Sequence, residues 1–192
     1  MKYIQQHIPE VLLIEPQVHG DDRGCFVETF RQDLLEQAIG YKLNFVQDNE
    51  SKSAQGILRG LHFQCPPFAQ SKLVRVIDGK VLDVVVDIRT GSPTFGQQVS
   101  VQLSCENRQQ LFIPRGFAHG FVVLSKTATF VYKVDNYYSA ECEGGLAFDD
   151  DALNIDWQIE RSHLQLSDKD SRQPGVAELG AIFDYSVDYY AD

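Results

Sequence analysis

Between residues 55 and 134 the chain runs as short apolar stretches broken by turn-forming residues: ILRGLHFQ, KLVRVIDGKVLDVVVDI, QQVSVQLS, QQLFIPRGFAHGFVVL and ATFVYKVDNYY. They are rich in Val, Ile, Phe and Tyr, which suit a pleated, half-buried surface, and DGK, TGSPTFG and ENRQ punctuate them. Many short strands with close turns predict an all-β sandwich or barrel. Asp78-Gly79, set between two β-branched runs, predicts a two-residue hairpin turn with positive φ. Upstream, RQDLLEQAIG has a leucine and isoleucine pattern compatible with a short helix stopped by Gly40. After residue 150 the pattern weakens, and DDALNIDW and SDKDSRQ predict loops and short helical turns. No repeat, low-complexity tract or linker divides the chain, so residues 1–192 are expected to form one domain.

Several polar residues interrupt these apolar runs. In GILRGLHFQ, Arg59 and His62 have opposite parity, and side chains alternate faces along a regular strand. They can share one cavity only if Gly60 carries a bulge or bend. Otherwise His62 is a satisfied imidazole and Arg59 a rim cation. Lys72 lies within the apolar SKLVRVIDG, and Asp83 and Asp87 share a parity in VLDVVVDIR. Charges among valines need partners, and a structural ion pair explains each of them singly. Tyr132, mid-strand in FVYKVDNYY, needs a hydrogen-bond partner if buried but no catalytic role.

Composition narrows the partners. A net charge of −10 leaves no general basic field for nucleic acid or an anionic membrane, so an anionic ligand must be held by locally placed Arg and Lys. The start MKYIQQHIPE has no apolar signal core, and no run reaches the roughly 18 apolar residues of a membrane span, so a cytoplasmic location is expected. Cys25, Cys65, Cys105 and Cys142 form no C-x-x-C and lack His at ligand spacing, and are read as free thiols. IPRGFAHGF resembles the second motif of cupin barrels and adds His119. The first motif would want His-x-His, whereas HFQ puts Gln64 in the second place, which weakens a metal site.

In order, DDRGCFVETF, the long run QDNESKSAQGILRGLHFQCPPFAQSKLVRVIDGKVLDVVVDIRTGSPTFG, LFIPRGFAHGFVVLS, FVYKVDNYY and LSDKD resemble the dTDP-4-dehydrorhamnose 3,5-epimerase family. The similarity runs from about residue 8 to 172. Departures are small: Cys25 stands where an aromatic is common, His19 where Phe is usual, Asp151 where Pro often follows the acidic pair, and DWQI lacks a terminal proline.

The resemblance implies a cupin-like jelly roll or β-barrel with a few short peripheral helices, a homodimer, no metal or organic cofactor, and a dTDP-linked 4-keto-6-deoxyhexose as substrate. It matches His62 to a base, Asp170 to the carboxylate that orients it, Tyr132 to the opposite-face acid and Lys72 to the cation over the ketone oxygen. Asp83 is a second carboxylate near that shell. Arg23 and Arg59 would clamp the diphosphate, and Glu28, Gln47, Asn49, His119, Glu143 and Lys169 match further substrate contacts. Rival expectations are a single-site 3- or 5-epimerase, a 3,4-ketoisomerase, and a sugar-binding barrel without activity; the last predicts loss of His62, Asp170 or Tyr132, all of which are present.

Overall fold

The computed structural model describes residues 1–191; Asp192 lies outside them. In chain order the elements are β1 (Lys2–Gln5), β2 (Leu12–Glu15), β3 (Val18–Asp21), β4 (Gly24–Val27), α1 (Gln32–Ile39), β5 (Gln47–Ala54), β6 (Leu58–Gln64) and β7 (Lys72–Asp78). There follow β8 (Lys80–Asp87), β9 (Arg89–Thr90), β10 (Gln98–Ser104), β11 (Gln110–Ile113), β12 (Phe117–Val123), β13 (Thr127–Val134), β14 (Glu143–Gly145) and β15 (Phe183–Asp184). Helix α1 stops as expected at Gly40, which takes the left-handed conformation (φ 86°) and donates its N–H to the Glu36 carbonyl.

Two antiparallel sheets make the body, in the orders β1-β2-β11-β7-β13-β5 and β10-β8-β12-β6-β14. This is the all-β arrangement that the apolar runs predict and the cupin-like form that the family resemblance implies. One apolar cluster fills the space between the sheets, with Val74 and Val76 of β7, Val81 and Val85 of β8, Phe117 and Phe121 of β12 and Phe130 of β13. The outer face of the five-stranded sheet is also buried. There Leu82, Val84 and Val86 pack against Leu146, Phe148, Trp157, Leu179 and Phe183 of the C-terminal segment. Burial on both faces explains why VLDVVVD reads as a continuous apolar run rather than an alternating one. Asp83 has the parity of Val81 and Val85 and so lies on the face between the sheets.

One expectation fails and one strand escapes the sequence pattern. Asp78-Gly79 does not close a hairpin, because β7 belongs to the six-stranded sheet and β8 to the five-stranded one. The dipeptide turns a corner between sheets. Gly79 has φ 77°, and a β-carbon there would lie 2.0 Å from the Thr127 carbonyl oxygen, so positive φ and lack of a side chain serve the corner as well as they would a hairpin. Strand β5, whose sequence QDNESKSA is wholly polar apart from its alanine, was not legible as a strand. It forms the edge of the six-stranded sheet, where charges are tolerated and protect against further pairing.

Candidate active site

Of the polar residues that interrupt the apolar runs, Arg59, His62, Lys72, His119 and Tyr132 meet in a cleft of about 670 Å³ at the β5 end of the space between the sheets. Strand β6 supplies Arg59 and His62 by the device its sequence requires. The register against β12 pairs His119 with His62 but Phe121 with Arg59, so β6 carries one extra residue between them. Leu58, Leu61 and Phe63 therefore all face the outer cluster, while Arg59 and His62 both line the cleft. Gly60 makes this possible: its φ is 131°, and a β-carbon would fall 2.5 Å from the Gly120 α-carbon of the neighbouring strand.

Asp170 reaches His62 from 108 residues away. The C-terminal segment runs beside the start of β6, where Leu58 N–H donates to the Gln165 carbonyl at 2.9 Å and Gln165 N–H to the Gly56 carbonyl at 2.9 Å. A 3-10 turn, Asp170–Arg172, then places Asp170 Oδ1 2.6 Å from His62 Nε2. Asp170 N–H donates to Ser167 Oγ at 3.1 Å. Burial works to raise the Asp170 pKa, but hydrogen bonds from His62, Ser167 and the Gly60 N–H outweigh it and hold the carboxyl below its ordinary range. One imidazole nitrogen is thus committed to a carboxylate, leaving the other for chemistry.

The six-stranded sheet supplies the opposing wall. Tyr132 on β13 is directly opposite Asn49 on β5, and both line the cleft. Burial, opposed by Arg59 and reinforced by Glu143, raises the phenol's pKa, so it is protonated at neutral pH. Lys72 opens β7 with part of its surface on the cleft, while the walls strip water from its ammonium. That desolvation, partly offset by Asp83 and Glu143, lowers its pKa to about 8.

Asp83 does not join the His62–Asp170 pair. It makes its own, with Asp83 Oδ2 2.9 Å from His119 Nε2, and its Oδ1 is buried without a hydrogen-bond partner. Burial lowers the His119 pKa against the pull of Asp83, and Lys72 and His62 lower it further. Asp87, its parity mate, is a structural ion pair: Arg89 Nη2 donates to it at 2.7 Å, and Ser92 and Thr94 hydroxyls at 2.6 and 2.7 Å.

Lys169 also lines the cleft and pairs with Glu143, which accepts from the Tyr138 hydroxyl at 2.8 Å at the rim. Gln64, where a second metal imidazole would stand, is buried and accepts the Ser139 N–H at 2.8 Å. Among the described residues no three His, Cys, Asp or Glu side chains converge as a metal cage.

Arg23, Glu28 and Gln47 are not brought to the cleft within this chain. Gln47 touches it only through Asn49, to which it donates at 2.8 Å. Arg23 sits in the turn of the β3–β4 hairpin, 90% exposed and paired with Asp21. Glu28 follows that hairpin and is exposed. Ser167 and Tyr138 were missed. Both lie inside the family-like phrases LSDKD and FVYKVDNYY, but neither type advertises a role without its neighbours in space.

A β-barrel that opposes a carboxylate-held imidazole to a phenol and an ammonium across one cleft is a proton-transfer enzyme of the sugar-epimerase class. The family model for dTDP-4-dehydrorhamnose 3,5-epimerase matches residues 5–178. The chain therefore belongs to the dTDP-4-dehydrorhamnose 3,5-epimerase family. It is 55% identical over 170 residues to the dTDP-4-dehydrorhamnose 3,5-epimerase of Shigella flexneri, covering 88% of this chain and 93% of the relative. Its fold matches that of a dTDP-6-deoxy-D-glucose-3,5-epimerase from Legionella pneumophila Philadelphia 1, solved with dTDP-4-keto-L-rhamnose, at a TM-score of 0.92 and 46% identity, covering 97% of this chain and 99% of that one. A 3'-monoepimerase from Streptomyces bikiniensis, solved with dTDP-quinovose, also matches at a TM-score of 0.88 and 34% identity, over 94% and 92% of the two chains. No helix among the described residues is long and apolar enough to cross a membrane.

Proposed function

We propose that the protein epimerises carbons 3 and 5 of dTDP-4-dehydro-6-deoxy-D-glucose, giving dTDP-4-dehydro-L-rhamnose for dTDP-rhamnose and polysaccharide synthesis, and that the whole chain acts as one cytoplasmic domain. The observation that carries this reading is the position of His62 and Tyr132 on the inner faces of opposite sheets, with the sugar's space between them. Carbons 3 and 5 both flank the ketone at carbon 4, so loss of either proton gives a carbanion delocalised onto the ketone oxygen. Inversion then needs a base on one face and an acid on the other.

His62 takes the proton through the ring nitrogen not held by Asp170. Asp170 fixes the tautomer and favours the imidazolium as it forms. Tyr132 donates to the opposite face. Lys72, charged below about pH 8, stands over the oxygen that gains charge. Arg59, whose Nε donates to Ser53 Oγ at 3.1 Å, turns its remaining guanidinium donors to the diphosphate. Asn49, His119, Glu143 and Lys169 complete the substrate's surroundings.

A homodimer is part of this reading. Arg23 and Glu28, which the family pattern gives to the substrate, lie on and just after an exposed hairpin whose Phe26 is 69% exposed. A second copy could bring them to the cleft that their own chain does not. A monomer by light scattering at micromolar concentration, with Arg23→Ala leaving KM unchanged, would remove both parts of that statement.

The deciding experiment is proton NMR of dTDP-4-keto-6-deoxyglucose with the protein in deuterium oxide. Deuterium at both carbons, with a coupled reductase yielding the rhamnose sugar, is the expected result. Exchange at carbon 3 alone would reassign the chain to the activity its Streptomyces relative is named for, and exchange at neither would reject the reading.

A further inference from the structure

Two cysteines that play no part in this chemistry are placed opposite one another. Cys65 follows β6 directly, and Cys142 ends the 3-10 turn Ala140–Cys142 just before β14. The two strands pair Gly145 with His62, Gly144 with Phe63 and Glu143 with Gln64. One more step of that register sets Cys142 against Cys65, and the Cys65 N–H donates to the Cys142 carbonyl at 2.7 Å.

Directly opposed residues of an antiparallel pair have α-carbons about 4.5–5.5 Å apart and side chains on the same face. A disulfide spans about 4.4–6.8 Å between α-carbons. The shared face is visible two pairs further along, where a β-carbon on Gly144 would lie 2.3 Å from the Phe63 ring. Cys65, two residues on, packs against the same outer cluster as Phe63. Burial, and then the neighbouring Cys142 thiol, raises the Cys65 pKa. Both residues are half-buried, whereas Cys25 is exposed.

We propose that Cys65 and Cys142 form a dithiol site which a low-molecular-weight disulfide, such as oxidised glutathione, converts reversibly into an intramolecular disulfide that braces the rim of the cleft. Cys142 attacks a sulfur of the small disulfide, forming a mixed disulfide and releasing one small thiol. Cys65 then attacks the Cys142 sulfur and expels the second small thiol. Each protein thiol gives up its proton to a departing thiolate; the protein is oxidised by two electrons and the small disulfide reduced by two. In a reducing compartment such a bond is transient and reads the local thiol poise. Its mechanical effect falls on residues 138–143, which hold the rim through the Tyr138–Glu143 hydrogen bond and the Ser139 N–H to Gln64.

The test uses the full chain with oxidised glutathione raised until exposed Cys25 carries an adduct, followed by intact mass and peptide mapping. The expected result is a Cys65–Cys142 linked peptide pair without glutathione, reversed by dithiothreitol. In Cys65→Ser the link is replaced by a glutathione adduct on Cys142. Amide exchange over residues 139–143 should slow at least severalfold in the oxidised chain. Free thiols or separate glutathione adducts at 65 and 142 in the wild-type chain would overturn the proposal, and unchanged exchange in the linked form would overturn the bracing.

Discussion

His62 and His119 lie directly across from one another on β6 and β12, yet each is tied to its own carboxylate, Asp170 at 2.6 Å and Asp83 at 2.9 Å. The first pair borders the cleft with the imidazole part-exposed, while in the second the imidazole is almost wholly buried in the cleft wall and its carboxylate lies behind it, out of contact with solvent. Neighbouring imidazoles thus differ in setting: His62, the proposed base, is open to a ligand, and burial disfavours the charged form of His119.

Asp170→Asn is expected to lower kcat by about 10²–10⁴ with a smaller change in KM, because the amide cannot favour the imidazolium. His62→Ala should abolish deuterium entry at both sugar carbons. Proton NMR in deuterium oxide reads both, and substantial exchange in His62→Ala would remove it from the role of base.

Tyr132→Phe should keep exchange at the carbons while inversion falls by at least tenfold, since abstraction and opposite-face return are assigned to different groups. Comparing washed-in deuterium with product configuration checks this. Undiminished inversion would exclude the phenol as the donor.

The ammonium of Lys72 is present below about pH 8 and lost above it. A cation required at the developing oxyanion therefore predicts that kcat/KM falls by about tenfold per unit of pH above that value. Lys72→Arg, cationic throughout, should remove that limb even where it lowers the plateau. A limb that stays in place in the variant would assign it to another group.

Stability on the acid side should follow His119, whose folded pKa lies below the ordinary 6.5. Between 6.5 and that depressed value the unfolded chain binds the extra proton, so stability falls as pH drops through this window. His119→Gln should flatten the dependence of Tm on pH between about 7 and 5, at the cost of a lower Tm at neutral pH. Thermal unfolding monitored across that range decides it.

Gly60→Ala tests the bulge. With φ at 131° and Gly120 2.5 Å from the new carbon, the variant should lose about 1–3 kcal/mol or more in urea unfolding, together with activity. A neutral substitution would mean that β6 need not slip to present Arg59 and His62 together.

Much of this was legible because it rests on local rules. Apolar runs and turn residues mark the central strands, the leucine pattern ending at Gly40 marks α1, and the parity conflict between Arg59 and His62 points to Gly60. What failed was long-range. Asp-Gly fits a hairpin and a corner between sheets equally well, and only the sheet order separates them. β5 is polar because an edge needs little apolar surface. Asp170 meets His62 through a C-terminal segment without periodicity, so family resemblance named it where spacing could not. Conversely, resemblance places Arg23 and Glu28 at the substrate without saying that their own chain leaves them outside the cleft.

The segment that roofs the outer face of the five-stranded sheet with Trp157, Leu179 and Phe183 is also the segment that carries Asp170. Packing of the sheet's outer face and placement of the carboxylate beside His62 are thereby one structural event. Loosening that roof would withdraw the carboxylate from His62 as well, so a packing defect at Trp157 or Phe183 would be felt at the imidazole although neither residue lines the cleft.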